Sequence, residues 1–91
     1  MLTIGGDDIY REGTQVGYLS GKTLYDSRGA ELGYYKDDKI YNPQAEKIAY
    51  LEGGYLYAGE RKISLDYVNE GVVGGAFPEL AKCTIYLLIG V

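Results

Sequence analysis

The chain has 91 residues, which is enough for one domain and too few for two domains with separate cores. Its formal net charge is −4, so nucleic acid or an anionic membrane surface would be repelled rather than attracted. The chain has no histidine and one cysteine, Cys83, which excludes a Ser-His-Asp site, a Cys-His site and an internal disulfide. We therefore predict a single domain over residues 1–91, with no catalytic residue, cofactor or metal.

The N-terminal residues carry no recognisable targeting signal. The chain opens with Met-Leu-Thr-Ile-Gly-Gly-Asp-Asp, in which no basic region precedes an apolar stretch. A cytoplasmic location is the default expectation. The 14 glycines and 11 tyrosines indicate a protein rich in turns and strands.

A tandem repeat of about 16 residues occupies residues 9–66. The segment Val16-Gly17-Tyr18-Leu19 recurs as Leu32-Gly33-Tyr34-Tyr35 and as Ile48-Ala49-Tyr50-Leu51, and a second series comprises Ile9-Tyr10, Leu24-Tyr25, Ile40-Tyr41 and Leu56-Tyr57. Each apolar cluster is short and ends at a turn, which indicates β-hairpins rather than helices. Asp26 and Asn42 precede equivalent turns, where a short polar side chain caps the backbone. Ile63-Ser64-Leu65 reads as a shortened last copy.

Both faces of the predicted sheet are partly apolar. In one strand, Leu32 and Tyr34 lie on one face and Gly33 and Tyr35 on the other. The sheet should therefore curl on itself or have its second face covered. The recurrent small residues Gly17, Gly33 and Ala49 are expected to lie beneath an aromatic ring from a neighbouring strand.

Residues 76–91 form an apolar C-terminal element. Pro78 and Glu79 suit a first helical turn, and Leu80, Cys83 and Leu87 have helical spacing. A buried strand is the alternative for residues 79–90, because the run around Thr84 is also rich in strand-forming residues. We favour the helix, and either form would cover the second face. Nine apolar residues are too few to span a bilayer.

These features predict a mainly β fold, an antiparallel β-meander of tandem hairpins with an apolar C-terminal helix or strand over one face. The chemical motifs favour ordinary structural roles. Asp7-Asp8 and Asp37-Asp38 lack the spacing of a calcium loop, so solvated turns are expected. Residues 71–75 are expected to be a flexible connector, and Cys83 a small buried apolar residue.

The tyrosines carry the main functional alternative. Tyr18, Tyr34 and Tyr50 recur at one position of the repeat, and Tyr25 and Tyr41 at another, so they should form rows across the sheet. Buried rows would stabilise the sheet. Exposed rows would offer a platform to a sugar, a quaternary ammonium group or a partner protein.

The segment from Gly33-Tyr34-Tyr35 to Ile40-Tyr41-Asn42, with its copies between Ile9 and Tyr57, resembles bacterial proteins of unknown function that have tandem hairpins of the form I-Y-D-x-x-G-x-x-I-G-Y-V-x-G. This resemblance covers a little over half the chain and implies a β-meander with no assigned activity. Pro43 and Ala45 depart from its turn pattern. The chain is less similar to choline-binding cell-wall repeats, which are about 20 residues long and use tryptophan cages, whereas this chain has no tryptophan.

We predict a non-enzymatic structural or protein-interaction module. It is expected to form a homo-oligomer, most simply a dimer, through the C-terminal element, with Leu80, Ile85, Leu87 and Leu88 in the contact. The alternative is a module that binds carbohydrate or a cell-wall ligand through exposed tyrosines.

Overall fold

The computed structural model describes residues 1–75 and 77–90. The strands are β1 (Leu2–Gly5), β2 (Asp8–Arg11), β3 (Thr14–Ser20), β4 (Thr23–Asp26), β5 (Glu31–Lys36), β6 (Lys39–Tyr41), β7 (Lys47–Glu52), β8 (Tyr55–Ala58), β9 (Arg61–Ser64) and β10 (Val72–Val73). The helices are α1 (Leu65–Gly71) and α2 (Glu79–Leu88).

All these strands belong to one 10-stranded sheet. Strands β1 to β9 follow one another as antiparallel neighbours in chain order, and β10 returns to pair with β1 in parallel. The predicted fold class is thereby confirmed, with a helix rather than a strand at the C-terminus. The parallel pair was not predicted.

One irregularity of the sheet recurs with the repeat. Val16, Leu32 and Ile48 each stand as an extra residue where the register shifts against the neighbouring strand. Such β-bulges bend a strand and increase its local twist. The repeat therefore introduces a bend into every second strand from β3 to β7.

These bends close the sheet on itself. Ten flat strands would span about 43 Å, since neighbouring strands lie about 4.8 Å apart. The longest dimension of the molecule is 31 Å. Only the 7 residues of α1, about 10 Å of helix, separate edge strand β9 from β10 at the other edge. The sheet must therefore curl until α1 can bridge its two edges.

Helix α2 lies against the inner face of the curled sheet. Ala81, Cys83, Thr84 and Ile85 are fully buried, and no residue between Glu79 and Leu88 is exposed. The sheet contributes buried apolar side chains to this core from alternate positions of its strands: Ile9, Leu19, Leu24, Tyr35, Ile40, Leu56 and Ile63. The sheet therefore curls, as one sequence-based alternative proposed, and α2 covers one of its two faces, as the other proposed.

The space beside Gly17 and Gly33 is occupied by different groups from those that the sequence predicted. A Cβ atom on Gly33 would collide with the carbonyl oxygen of Tyr41 and lie 2.7 Å from Cδ1 of Leu88. One on Gly17 would lie 3.1 Å from Cδ1 of Ile89. The predicted aromatic ring over these glycines is therefore wrong. The absence of a side chain at these glycines instead lets the C-terminal segment and the backbone of the adjacent strand approach closely.

The end of the repeat also differs from its sequence interpretation. Ser64 caps α1, because its Oγ accepts a hydrogen bond from the backbone N–H of Asp66 at 3.2 Å. Leu65 is already helical, so Ile63-Ser64-Leu65 is not a shortened copy of the earlier strands. Part of the expected connector at residues 71–75 forms β10.

Candidate functional site: the outer tyrosine face

Three pairs of stacked tyrosines lie on the outer face of the sheet. Tyr18 pairs with Tyr25, Tyr34 with Tyr41, and Tyr50 with Tyr57, each from directly opposed positions of adjacent strands. The ring centroids are 5.1, 5.0 and 5.0 Å apart, and the ring planes differ by 16°, 16° and 14° respectively. The cross-strand rows that the repeat predicts are therefore present.

The rings of these pairs stand on edge on the sheet. Their separation matches the distance of about 4.8 Å between neighbouring strands, so each ring turns a face toward the next strand. The ring edges rather than the ring faces consequently line the outer surface. The Tyr18 hydroxyl lies beside the loop that contains Gly29, 3.5 Å from the place of a Cβ atom on that glycine.

Each stacked pair has a polar residue at both ends. In strand order, the first row is Asp8, Tyr18, Tyr25 and Glu31, the second row is Thr23, Tyr34, Tyr41 and Lys47, and the third row is Lys39, Tyr50, Tyr57 and Lys62. We call these three rows the tyrosine face. Each copy of the repeat supplies two strands, whereas each row crosses four strands. The residues at the two ends of a row therefore come from different copies.

The charges of the tyrosine face change sign along the repeat. Asp8 and Glu31 make the ends of the first row acidic, whereas Lys39 and Lys62 make the ends of the third row basic. The Asp8 carboxylate also accepts a hydrogen bond from Nε2 of Gln15 at 3.0 Å. Sequence reasoning missed these four end residues, although applying the 16-residue spacing to hairpin pairing could have found them.

Lysine ammonium groups cover tyrosine rings at the third row. Lys47 Nζ lies 5.5 Å from the ring centroid of Tyr50, whose stacking partner is Tyr57. Lys62 Nζ lies 4.2 Å from the centroid of Tyr55, the next aromatic ring along β8. These contacts are cation–π interactions. They leave little free ring face for a sugar to stack on.

The tyrosines of this face are partly accessible. Tyr50 is 38% exposed, and the other five paired tyrosines are half-buried. Tyr55, which adjoins the third row on β8, is also 38% exposed. Tyr67 on α1 is 65% exposed and lies outside the tyrosine face. The face is therefore partly open to a partner while its rings contribute packing to the sheet.

A shallow groove of about 550 Å³ adjoins the third row. It is lined by Asp37, Asp38, Lys39, Lys47, Tyr50, Leu51 and Glu52. Asp37 and Asp38 form an exposed turn, with φ angles of 50° and 65°. This agrees with the solvated turn predicted from the sequence, and it gives the groove carboxylates as well as ammonium groups.

The residues expected to mediate self-association lie in the core or beside it. Ile85 is fully buried within one chain, so it cannot contact a second folded copy. Leu80, Leu87 and Leu88 are half-buried and pack against the core. The curled sheet already covers most of the apolar surface of this element.

Cys83 has the properties of a structural residue. Its thiol is fully buried, and burial together with the nearby carboxylate of Glu79 raises its pKa to about 12. A thiol with such a pKa stays protonated near neutral pH and is a poor nucleophile. Within residues 1–75 and 77–90, no group of three or more Cys, Asp or Glu side chains is arranged to hold a metal ion.

No helix in the described ranges is long and apolar enough to cross a membrane. Comparisons with protein-family models, with curated proteins and with solved structures found no match to this chain.

Proposed function

We propose that the protein is a non-enzymatic structural or protein-interaction module that binds a partner protein through the tyrosine face. The observation that carries this proposal is the set of three stacked tyrosine pairs with charged or polar residues at their ends. Tyrosine suits protein interfaces because it combines a rigid apolar ring with a hydroxyl group. Charged groups at the row ends would add orientation and specificity.

The perturbed groups support a non-enzymatic role. Burial raises the pKa of the Tyr35 phenol, which lies on the inner face of the sheet. The pKa of Asp26 is lowered by backbone hydrogen bonds from its own loop, those of Ala30 and Arg28 foremost. Together with Cys83, these shifts have structural causes, namely core packing and loop capping. None places an acid next to a base in an open cleft, as general acid–base catalysis requires.

The groove beside the third row favours carbohydrate binding as a second candidate function. Its carboxylates and ammonium groups could hydrogen-bond to sugar hydroxyls, next to the partly exposed edge of Tyr50. The stacked arrangement weighs against this alternative, because Tyr57 and Lys47 already occupy the neighbourhood of the Tyr50 ring faces. Titration of the protein with soluble cell-wall oligosaccharides tests it directly.

Tyrosine iodination with mass-spectrometric readout tests the main proposal. Purified dilute protein would be compared with the same protein in an extract of the source cells, with Tyr67 as the internal reference. We expect the extract to protect Tyr50 and Tyr55 but not Tyr67. Equal modification of all three in both conditions, at every protein concentration, would contradict the proposal.

A further inference from the structure

The groove beside the third row is acidic at one of its ends. The carboxylates of Asp37, Asp38 and Glu52 line this end, where the turn between β5 and β6 meets the end of β7. The backbone N–H of Leu51 donates a hydrogen bond to the carbonyl of Asp38 at 2.8 Å. This bond holds the turn against β7 and so keeps the carboxylate of Glu52 beside those of the turn.

Two lysines lie around Tyr50, which is the other end of the groove. Lys39 is directly opposite Tyr50 on β6, and Nζ of Lys47 lies 5.5 Å from the centroid of the Tyr50 ring. Lys39 directly follows Asp38, so Lys47 is the cation better separated from the carboxylates. Tyr50 and Glu52 are two positions apart on the outer face of β7, which separates the two ends by about 7 Å.

The repeat does not impose this order of charges. In the second copy, the backbone N–H of Tyr35 donates to the carbonyl of Lys22 at 3.0 Å, in the place of the bond between Leu51 and Asp38. The signs at the surrounding positions are reversed there, since Lys22, Lys36 and Glu31 stand where the third copy has Asp38, Glu52 and Lys47. The same backbone therefore carries a different charge pattern beside the groove than beside Tyr34.

We infer that the groove binds a short peptide with free termini, whose α-ammonium group lies at Asp38 and Glu52 and whose α-carboxylate lies at Lys47. The groove volume of about 550 Å³ is in the usual range for small-ligand sites. The two termini of an extended dipeptide are about 7 Å apart, which matches the separation of the two ends. This binding does not depend on the partner protein proposed for the tyrosine face.

The exposure of the groove sets the expected strength of binding. It is shallow, and four of its five charged side chains are exposed, all except Lys39. Exposed charges are screened by salt, so binding should be weak and strongest at low ionic strength. We expect a millimolar dissociation constant for glycylglycine at about 0.02 M NaCl, and one at least about fivefold higher at about 0.5 M NaCl.

Titration of the isotope-labelled protein with three dipeptides tests the inference by nuclear magnetic resonance. The probes are glycylglycine, N-acetylglycylglycine, which lacks the ammonium group, and glycylglycine amide, which lacks the carboxylate. Each blocked probe should bind at least about fivefold more weakly than glycylglycine, because one end of the groove loses its counterpart. The amide shifts should centre on Asp38, Tyr50 and Glu52.

Two variants remove the charges of one end each. Asp38→Asn with Glu52→Gln should weaken glycylglycine binding at least about fivefold, and it should also abolish the preference for glycylglycine over its acetylated form. Lys47→Gln should abolish the preference over the amide. The amide spectrum of each variant shows whether it is folded, and the blocked probes test the wild type without any substitution.

Matched controls change the charge equally at exposed positions outside the groove. Asp7→Asn with Glu60→Gln matches the carboxylate variant, and Lys22→Gln matches the lysine variant. Both controls should bind glycylglycine as the wild type does. A control that weakens binding as much as its groove counterpart would show that net charge, rather than the groove, attracts the peptide.

Other outcomes would also overturn the inference. These are the absence of saturable shifts up to about 50 mM glycylglycine, and blocked probes that bind as well as the free dipeptide. Tighter binding of a neutral cell-wall oligosaccharide in the groove would favour the carbohydrate alternative instead. Protection of Tyr50 and Tyr55 in the cell extract without peptide binding would reject this inference and keep the proposed function.

Discussion

The two four-residue loops of the repeat are held by one side-chain oxygen each. Oδ1 of Asp26 accepts hydrogen bonds from the backbone N–H groups of Arg28 and Ala30, at 2.8 and 2.9 Å. Oδ1 of Asn42 accepts the equivalent two bonds at 3.0 and 2.9 Å. The capping role predicted from the sequence is confirmed. A carboxylate and an amide perform it equally, although only the carboxylate titrates.

This difference predicts a pH dependence of stability. The loop hydrogen bonds hold the pKa of Asp26 below its ordinary value of 3.8 in the folded protein. The stabilisation is therefore fully present above pH 3.8 and is lost as the pH falls through the lower folded pKa. Asp26→Asn should flatten the decline of the urea midpoint between about pH 5 and pH 2. Asp7→Asn, an equal charge change in an exposed turn, is the control, and equal declines in both variants would contradict this assignment.

Ala45 adopts a backbone conformation that suits glycine better. Its φ angle is 64°, whereas the equivalent position of the preceding loop is Gly29 at 87°. A left-handed conformation costs a non-glycine residue about 1 to 2 kcal/mol, part of which the greater unfolded-state freedom of glycine offsets. Ala45→Gly should therefore raise the free energy of unfolding by about 0.5 to 1 kcal/mol. Ala30→Gly, in a loop position without positive φ, should lower it. Urea midpoints that shift in the same direction would refute the explanation.

At the scale of strands and helices, the local pattern predicted much of the fold. Short apolar clusters between turns identified the hairpins, and the spacing of Leu80, Cys83 and Leu87 identified α2. The closure of the sheet could not be predicted in this way, because a bulge residue such as Leu32 reads as one more apolar residue. Strand β10 has 2 residues and depends on pairing with β1, about 70 positions earlier in the chain.

The charge pattern of the candidate site escaped prediction for a related reason. Asp8 and Glu31 are 23 positions apart in the chain, and they flank one tyrosine pair only after the register shift at the β2–β3 bulge is counted. That shift depends on backbone pairing rather than on local composition. The tyrosine pairs themselves were predictable because both members recur at the repeat spacing.

Gly33 on β5 gives a prediction at this scale. Gly33→Val should destabilise the protein by at least about 2 kcal/mol, because the new side chain meets both a backbone carbonyl and Leu88. Lys36→Gln, at an exposed position of the same strand, should change stability by less than about 0.5 kcal/mol. Adding Leu88→Ala to Gly33→Val should not restore stability, since the carbonyl of Tyr41 remains. Denaturant midpoints decide, and full rescue by Leu88→Ala would show that the helix alone requires the glycine.

Over the whole molecule, the sheet and α2 depend on each other. The sheet curls around a helix that has no exposed residue, and the guanidinium of Arg11 donates a hydrogen bond to the Gly90 carbonyl just beyond the helix end. Removing buried atoms from the helix should therefore weaken the entire structure rather than release the helix alone. If α2 could detach on its own, its unfolding would instead leave the tyrosine rows intact.

Ile85→Ala distinguishes these two behaviours. Loss of a fully buried isoleucine side chain costs about 2 to 5 kcal/mol, a large part of the stability of a small domain. Tyr67→Ala, at a residue that is 65% exposed, should cost less than about 0.5 kcal/mol and serves as the matched control. In both variants, far-ultraviolet circular dichroism and tyrosine fluorescence should report coincident unfolding transitions, because a cooperative unit loses its secondary structure and its ring packing together. An early circular-dichroism transition in Ile85→Ala that leaves tyrosine fluorescence at its native value would mean that α2 separates from a sheet able to stand without it.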